Sequence, residues 1–404
     1  MGSDLQASSR KRGSSRLYGR WAALALATLI VSWPLWPGRA GDCLRAAAAF
    51  LPAASPYVTV GAAIAGRSAG VVALGGAPWL LLLLLSRRWF CNYACPAGLL
   101  QDLARPPRVA RSDWELRLPR LGPWAALITL GGAVAGYPLL LWLDPMSIFA
   151  GFANVWRRPL TIASLAPAAG LPLLVLSSWL FPRLWCSRLC PLGALQDIVR
   201  RLAQLGRRRS ESANLAGHGL PRRAIVAMGA GAVVALTVRD RRASATLRPP
   251  GSVSEAAFPG LCIRCGNCGR ACPSAVIRPQ YASVAGFMTP HLRFDSDYCR
   301  EDCSRCGQAC PTGAIQRLDL ASKRRRIIGI ARLDADTCIM AEGRECGLCK
   351  ARCPYDAIAL RTTDGGFTVV PAVIATACIG CGACQAVCPV SPTPAIRVSE
   401  RATV

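Results

Sequence analysis

The chain has 404 residues, 52% of them hydrophobic, with a formal net charge of +26 and a mean hydropathy of +0.31. Its apolar residues stand in blocks flanked by Lys and Arg, which favours a membrane protein of two or three domains over a nucleic-acid-binding protein. His218 and His291 are the only histidines and no Cys-x2-Cys-His sequence occurs, which excludes bis-His haem in an apolar span and covalent haem. The sequence also contains no phosphate-binding loop, no dinucleotide-binding glycine motif that would indicate a flavin or nicotinamide site, and no Ser/His/Asp set.

The first half of the chain predicts an α-helical membrane domain behind a basic tail. Residues 1–20 are polar and basic, which is typical of a disordered cytoplasmic tail. Four apolar segments each approach the ~20 residues that cross ~30 Å of hydrocarbon; they are residues 21–36, 69–85, 121–143 and 166–181. Arginine is concentrated in residues 87–120 and 183–223, so the positive-inside rule predicts four spans with these stretches facing the cytoplasm.

A cysteine motif occurs twice within this domain, residues 21–204, at an offset of 95 positions. Both copies read Cys-x3-Cys-Pro-x-Gly-x-Leu-Gln-Asp, which predicts a duplicated two-span unit. Cysteines at i and i+4 share one face of a helix. The four thiols are therefore candidates for a further iron–sulfur cluster or for two dithiol pairs, with plain reduced thiols as the simplest alternative; they are Cys91, Cys95, Cys186 and Cys190. Cys43, in a predicted outer loop, is assigned no role.

Residues 205–246 are predicted to be a linker that contains a short apolar segment. Arg222 and Arg223 precede the apolar residues 224–238, and Ala243-Ser244-Ala245 has the small residues of a cleavage site. Twin arginines are typical of the export route for folded proteins. The segment is predicted to be an internal export signal or a fifth span, and a cytoplasmic surface helix is the alternative. As a helix it would cover only ~22 Å at ~1.5 Å per residue.

Residues 247–404 hold four cysteine groups, each of which ends in Cys-Pro. Such groups are the ligand runs of bacterial ferredoxins, in which three thiolates hold one 4Fe–4S cluster and the fourth reaches a neighbouring cluster. The sequence therefore predicts four 4Fe–4S clusters; disulfides or zinc would not require the recurring fourth Cys-Pro. The predicted iron ligands are Cys262, Cys265, Cys268 and Cys272; Cys299, Cys303, Cys306 and Cys310; Cys338, Cys346, Cys349 and Cys353; and Cys378, Cys381, Cys384 and Cys388.

The four groups form an internal repeat. They are separated by 26, 27 and 24 positions, and a short apolar pair follows each Cys-Pro. Each repeat is predicted to fold as a cysteine loop, a short helix and a strand. The fold expected is an α+β ferredoxin-like domain of two tandem two-cluster modules. Adjacent pairing (first with second, third with fourth) and nested pairing (first with fourth, second with third) both fit the spacing.

These motifs resemble two known families. The first 200 residues resemble the NapH-type membrane ferredoxin proteins, which have four spans and two Cys-x3-Cys-Pro motifs. From Pro221 onward the chain resembles the NapG/MauM-type polyferredoxins, most closely at residues 262–266 and 338–353. The chain therefore resembles a fusion of the two. It departs from them in that no ferredoxin group stands between Cys190 and Cys262 and the twin-arginine motif is degenerate.

The predicted function is electron transfer without substrate chemistry, as a subunit of a respiratory-type chain. The resemblance implies a multi-pass protein of the bacterial cytoplasmic membrane with a periplasmic ferredoxin domain. It also implies transfer from the quinol pool to a periplasmic redox partner protein. A maturation factor for a periplasmic metalloenzyme is the alternative, and a disulfide-stapled exported binding domain without iron is a third. No nucleic-acid partner is expected.

Overall fold

The computed structural model of the chain describes residues 2–32, 38–67, 76, 78–79, 81–82, 88–104, 119–156, 165–182, 184–211, 222–240, 246–284, 286–362 and 368–400. In these ranges the fold is mixed, with longer helices in the first part and short helices with small sheets in the second. Two compact units are present. The first consists of residues 1–242, 254–267 and 311–314, and the second of residues 243–253, 268–310 and 315–404.

The chain up to residue 261 forms α-helices joined by tight turns. The helices are α1 (Gly2–Val31), α2 (Gly38–Ala53), α3 (Pro56–Gly66), α4 (Trp89–Tyr93), α5 (Pro96–Leu103), α6 (Leu121–Val134), α7 (Pro145–Phe152), α8 (Gly170–Leu180), α9 (Pro191–Glu211), α10 (Arg222–Asp240) and α11 (Phe258–Leu261). Three 3-10 turns and one π-helical turn supplement them, at Leu141–Leu143, Ala153–Trp156, Ala166–Ala169 and Trp185–Leu189.

The prediction of a four-span membrane domain is wrong. Within the described ranges, no single helix is long and apolar enough to cross a membrane; one pair, residues 47–53 and Pro56–Gly66, meets the requirement together but is bent by 90°. The predicted span 166–181 begins as a 3-10 turn, and α8 has 11 residues. Most of the predicted span 69–85 lies outside the described residues. The tail predicted to be disordered instead continues into the apolar residues as α1.

The third predicted span, residues 121–143, is shortened by a glycine cap. Gly136 adopts φ +83°, a left-handed conformation that favours glycine and ends a helix. The N–H of Gly136 donates to the carbonyl of Ala133 at 2.9 Å, and that of Tyr137 donates to Gly132 at 2.8 Å. These are the two hydrogen bonds of a Schellman motif. Helix α6 therefore ends at Val134 although the apolar sequence continues.

Helices α6 and α10 approach each other through glycines. A Cβ on Gly131 would lie 2.0 Å from the carbonyl oxygen of Met228, and one on Gly231 would lie 2.2 Å from that of Ile128. Backbones come this close only where the side chain is a hydrogen atom. The segment predicted as an export signal or fifth span is thus a helix packed against α6. Its predicted cleavage site, Ala243-Ser244-Ala245, lies outside the described residues.

The chain from residue 262 onward alternates short helices and strands. The helices are α12 (Asn267–Ala271), α13 (Arg305–Gln308), α14 (Leu320–Arg325), α15 (Leu348–Ala351) and α16 (Ala383–Val387). The strands are β1 (Ile277–Pro279), β2 (Pro290–Leu292), β3 (Ile330–Leu333), β4 (Ile358–Thr362), β5 (Val369–Val373) and β6 (Ile396–Ser399). They form antiparallel pairs β1–β2, β3–β6 and β4–β5.

The predicted repeat of loop, helix and strand is observed. In three of the four groups the second residue of the apolar pair begins a strand: Ile277, Ile358 and Ile396. In the second group the corresponding residue, Ile315, forms an isolated bridge with Ser252. Each Cys-Pro therefore leads the chain out of a short helix and into strand-like pairing.

Candidate iron–sulfur sites

The cysteine loops of the first and fourth groups turn tightly because two residues in each adopt left-handed backbone conformations. In the fourth group these are Gly380 (φ +75°) and Gly382 (φ +84°). A Cβ on Gly382 would lie 2.2 Å from the ring of Phe294, so this position requires glycine. The first group repeats the conformation at Arg264 (φ +58°) and Gly266 (φ +72°). The Cys-x2-Cys-x2-Cys spacing is thus realised as one turn that can present three sulfurs to one guest.

The third and fourth groups exchange their last cysteines. Cys353 lies close enough to Cys381 and Cys384 for their charges to interact. In the opposite direction, Cys388 packs against the cluster of buried side chains around Cys338, together with Cys346. Each loop of three cysteines therefore has the fourth cysteine of the other group beside it.

The last cysteine of the first group lies near the second group. Cys272, the last cysteine of the first group, lies within electrostatic range of Cys299, Cys303 and Cys306. Of the two pairings that the spacing allows, the structure thus brings adjacent groups together. The chemistry of this set fits 4Fe–4S clusters, which take four thiolates each.

Backbone N–H groups point to the last cysteine of three groups. The N–H of Ile315 donates to Cys310 Sγ at 3.4 Å, and that of Ala357 donates to Cys353 Sγ at 3.3 Å. Cys272 accepts in the same way from Val276 and Ile277. Such bonds favour the thiolate and raise the potential of a cluster it holds. In these three groups the sequence shows the apolar pair four residues after the last cysteine, but it does not reveal this second role of the backbone.

The loops of the second and fourth groups meet directly. The N–H of Cys299 donates to the carbonyl of Cys381 at 2.9 Å. Tyr298 and Tyr355 pack against the buried residues around Cys381. The two pairs of groups therefore make contact through the loops that carry Cys299 and Cys381.

A buried lysine stands beside this junction. Lys323 on α14 is 1% exposed; its ammonium donates to the carbonyl of Arg300 and hydrogen-bonds the Cys299 thiol. Burial raises the pKa of Cys299 to about 11, and the lysine charge acts in the opposite direction. Sequence analysis missed this residue because Lys323 stands in a run of basic residues that reads as solvated surface.

Lys323→Met is expected to lower the reduction potential of the cluster that Cys299 would hold. Reduction adds negative charge, which a buried cation stabilises. A tenfold change in the reduction equilibrium corresponds to about 59 mV for one electron. Redox titration followed by electron paramagnetic resonance would measure the shift. Arg325→Met, which removes an exposed charge from the same helix, is the matched control, and equal shifts in both variants would contradict the role of Lys323.

The loop of the first group is anchored within the first unit. The guanidinium of Arg264 lies 4.8 Å from the ring centroid of Trp142. Asn154 Nδ2 donates to the carbonyl of Cys265 at 3.3 Å, and Asn267 Nδ2 donates to the carbonyl of Ala48 at 2.9 Å. Both asparagines are buried. The loop that carries Cys262 and Cys265 is thus held by hydrogen bonds to the turns and helices of this unit.

The two Cys-x3-Cys-Pro motifs fold alike and lie together. In each copy the first cysteine is on a short helical turn, α4 or Trp185–Leu189, and the second is extended, with φ −86° at Cys95 and −64° at Cys190. Pro then begins a new helix, as its fixed φ favours. The two cysteines of each copy do not share one helix face, because the chain leaves the helix between them. All four cysteines nevertheless line one cavity of ≈ 330 Å³.

The Gln of each copy reaches across to a cysteine of the other copy. The Cys186 thiol donates to Gln101 Oε1 at 3.1 Å, and Gln196 Nε2 donates to Cys91 Sγ at 3.0 Å. Arg88 donates to Asp197 through two nitrogens, the shorter bond being 2.6 Å. Burial raises the pKa of Cys91 to about 11. Among the described residues no three His, Cys, Asp or Glu side chains are placed to hold a single metal ion.

Four interlocked Cys-Pro groups on loop–helix–strand repeats define the second part as a polyferredoxin, an iron–sulfur electron-transfer protein. A model of a 4Fe-4S dicluster domain matches residues 261–314 and 343–392. A second model, of a 4Fe-4S binding domain, matches residues 69–113, 164–211 and 306–330. The second model thus includes both Cys-x3-Cys-Pro motifs.

Curated relatives identify the family. The methylamine utilization ferredoxin-type protein MauM of Methylobacillus flagellatus is 36% identical over 174 residues, 41% of this chain and 73% of that protein. The ferredoxin-type protein NapG of Escherichia coli is 37% identical over 180 residues, 42% of this chain and 77% of NapG. The chain belongs to the NapG/MauM family of ferredoxin-type proteins. No solved structure matches it. The fusion with a NapH-type protein stays a prediction.

Proposed function

We propose that this protein carries electrons from the quinol pool of the bacterial cytoplasmic membrane to a periplasmic oxidoreductase through four 4Fe–4S clusters. The observation that carries the proposal is the exchange of last cysteines, such as Cys353 beside Cys381 and Cys384. Bound clusters supply one-electron carriers that change charge without making or breaking bonds. A cysteine that leaves one loop for its neighbour keeps two such carriers close together.

The chain's own residues have three tasks in this function. The sixteen cysteines hold the clusters. Backbone N–H groups such as those of Ile315 and Ala357 set potentials through the sulfurs. The contact between Cys299 and Cys381 supports transfer from one pair of groups to the other. Electrons then pass through the clusters of the first, second, fourth and third groups, in that order.

The quinol pool as the electron source is supported by the surface of the first unit. Large apolar side chains are exposed on α8 at Leu173, Leu176 and Trp179, and on α10 at Val226 and Val233. Exposed apolar surfaces of this kind mark membrane or protein contacts. We assign this surface to the membrane. A redox partner protein is supported by relatives that are named ferredoxin-type proteins, MauM and NapG. The periplasmic location of that partner is part of the proposal.

The full-length protein, purified anaerobically and added to vesicles that contain quinol, should lose the visible absorbance of oxidised clusters. Addition of an oxidised periplasmic electron acceptor should then restore that absorbance. Empty vesicles with the same protein are the control. A cluster-loaded protein that dithionite reduces but quinol vesicles leave oxidised would overturn the quinol assignment. Electron transfer itself would stand in that case.

A further inference from the structure

The cysteines of the two Cys-x3-Cys-Pro motifs lie outside the four ferredoxin groups and share one cavity. Cys91 and Cys95 come from the first copy, and Cys186 and Cys190 from the second. The donor set, four cysteines around one cavity, is the set that a 4Fe–4S cluster requires. In a cluster each ligand sulfur binds a different iron atom, so the lack of a single-ion site in the described residues does not conflict with it.

Three residues that line the same cavity each carry a buried hydrogen-bond donor without a partner in the described part of the chain. The donors are Gln101 Nε2, Trp185 Nε1 and Arg20 Nε. Gln101 as a whole is 3% exposed. Buried donors are rarely left unpaired. Three such donors at one cavity indicate a bound ligand that accepts hydrogen bonds, as the sulfides and thiolates of a cluster do.

The positive charges at the cavity also favour a 4Fe–4S cluster as the ligand. Arg20 and Arg88 both line it. Arg20 pairs with Asp102 at 2.8 Å and Arg88 with Asp197 at 2.6 Å, so the two pairs hold the guanidinium groups in place. A cluster with four thiolates carries net negative charge, which these cations offset.

We propose that Cys91, Cys95, Cys186 and Cys190 together hold one further 4Fe–4S cluster, shared between the two motif copies. Gln101 and Gln196 are its positioning residues. Each amide contacts a cysteine of the other copy, Gln101 with Cys186 and Gln196 with Cys91. Because of these two contacts, the two motif copies form a single site. The cluster would take up and release one electron at a time, with no bond made or broken.

Iron content of the full-length protein tests the shared site. The wild type should contain about twenty iron atoms and about twenty labile sulfides per chain, four for each of five clusters. Cys95→Ala and Cys190→Ala should each lose about four iron atoms, and the double variant should lose no more than either single variant. Cys43→Ala, at an exposed cysteine outside every group, should lose none.

Other outcomes separate the alternatives. About sixteen iron atoms in all five proteins would overturn the proposal, leave the ferredoxin clusters in place and favour a dithiol role. Losses that add in the double variant would show two separate clusters and would also overturn it. A loss of about one iron or zinc atom per chain would indicate a mononuclear site instead.

A second experiment does not depend on removing a ligand. Gln101→Leu combined with Gln196→Leu should leave the iron content unchanged. We expect the paramagnetic resonance signal of the fifth cluster to move, with about a tenfold shift in its reduction equilibrium, which is about 59 mV for one electron. A purely structural role of the glutamines would leave the signal and the potential where they are, and that result would contradict their assignment.

Discussion

Replacing Cys353 with serine should remove the cluster held by the fourth group and leave the cluster of the third group intact. Cys353 belongs to the third group in sequence but lies beside Cys381 and Cys384. Its loss deprives their cluster of one ligand, so up to about four iron atoms per chain should disappear. Iron analysis with paramagnetic resonance of the reduced protein would measure the loss, and Cys43→Ser is the control.

Double variants identify which cluster is lost. Cys353→Ser with Cys381→Ser should lose no more iron than Cys353→Ser alone, because both cysteines would hold the same cluster. Cys353→Ser with Cys349→Ser should lose about eight iron atoms, because these cysteines would hold different clusters. The reverse pattern of losses would mean that each group binds its own cluster, and the exchange of cysteines would be wrong.

Gly231→Ala should destabilise the protein, whereas Gly229→Ala should not. The two glycines lie on α10, so both changes favour the helix by up to about 1 kcal/mol. A Cβ at Gly231 would lie 2.2 Å from the backbone of α6, while one at Gly229 meets nothing within 4 Å. Overpacking of this kind costs about 1–3 kcal/mol. Thermal unfolding of both variants would measure the difference in stability.

The comparison also tests what the segment 224–238 does in the folded protein. If the helix is packed against α6, the two Gly→Ala substitutions have different effects on stability. If the segment is free, as an unattached export signal would be, both substitutions have the same, slightly stabilising effect. Equal thermal unfolding midpoints for Gly229→Ala and Gly231→Ala would therefore show that this helix does not pack against α6.

Cofactor class was readable from the sequence because the ligands of an iron–sulfur cluster are mostly local. Three sulfurs of each site come from one tight loop, so the spacing from Cys378 to Cys384 already implies the geometry that Gly380 and Gly382 produce. The period of the groups likewise implied the repeating loop, helix and strand. The duplicated Cys-x3-Cys-Pro motif also identified the cysteines that line the cavity in the first unit.

The lengths of the helices could not be predicted from the sequence in the same way. Hydropathy counts apolar residues, but a helix ends where its last carbonyl groups find other partners. Gly136 turns the chain at Val134 although residues 135–143 remain largely apolar. The four predicted spans therefore do not correspond to four long helices in the described residues.

Tertiary structure alone decided which distant residues share a site. Adjacent and nested pairing satisfy the same spacing, so only the position of Cys272 beside the second group and of Cys353 beside the fourth separates them. Gln101 and Cys186 are 85 positions apart, and Gln196 and Cys91 are 105 apart. Local sequence specifies the loop around a metal, but the partner that completes the site comes from whichever segment the packed chain brings beside it.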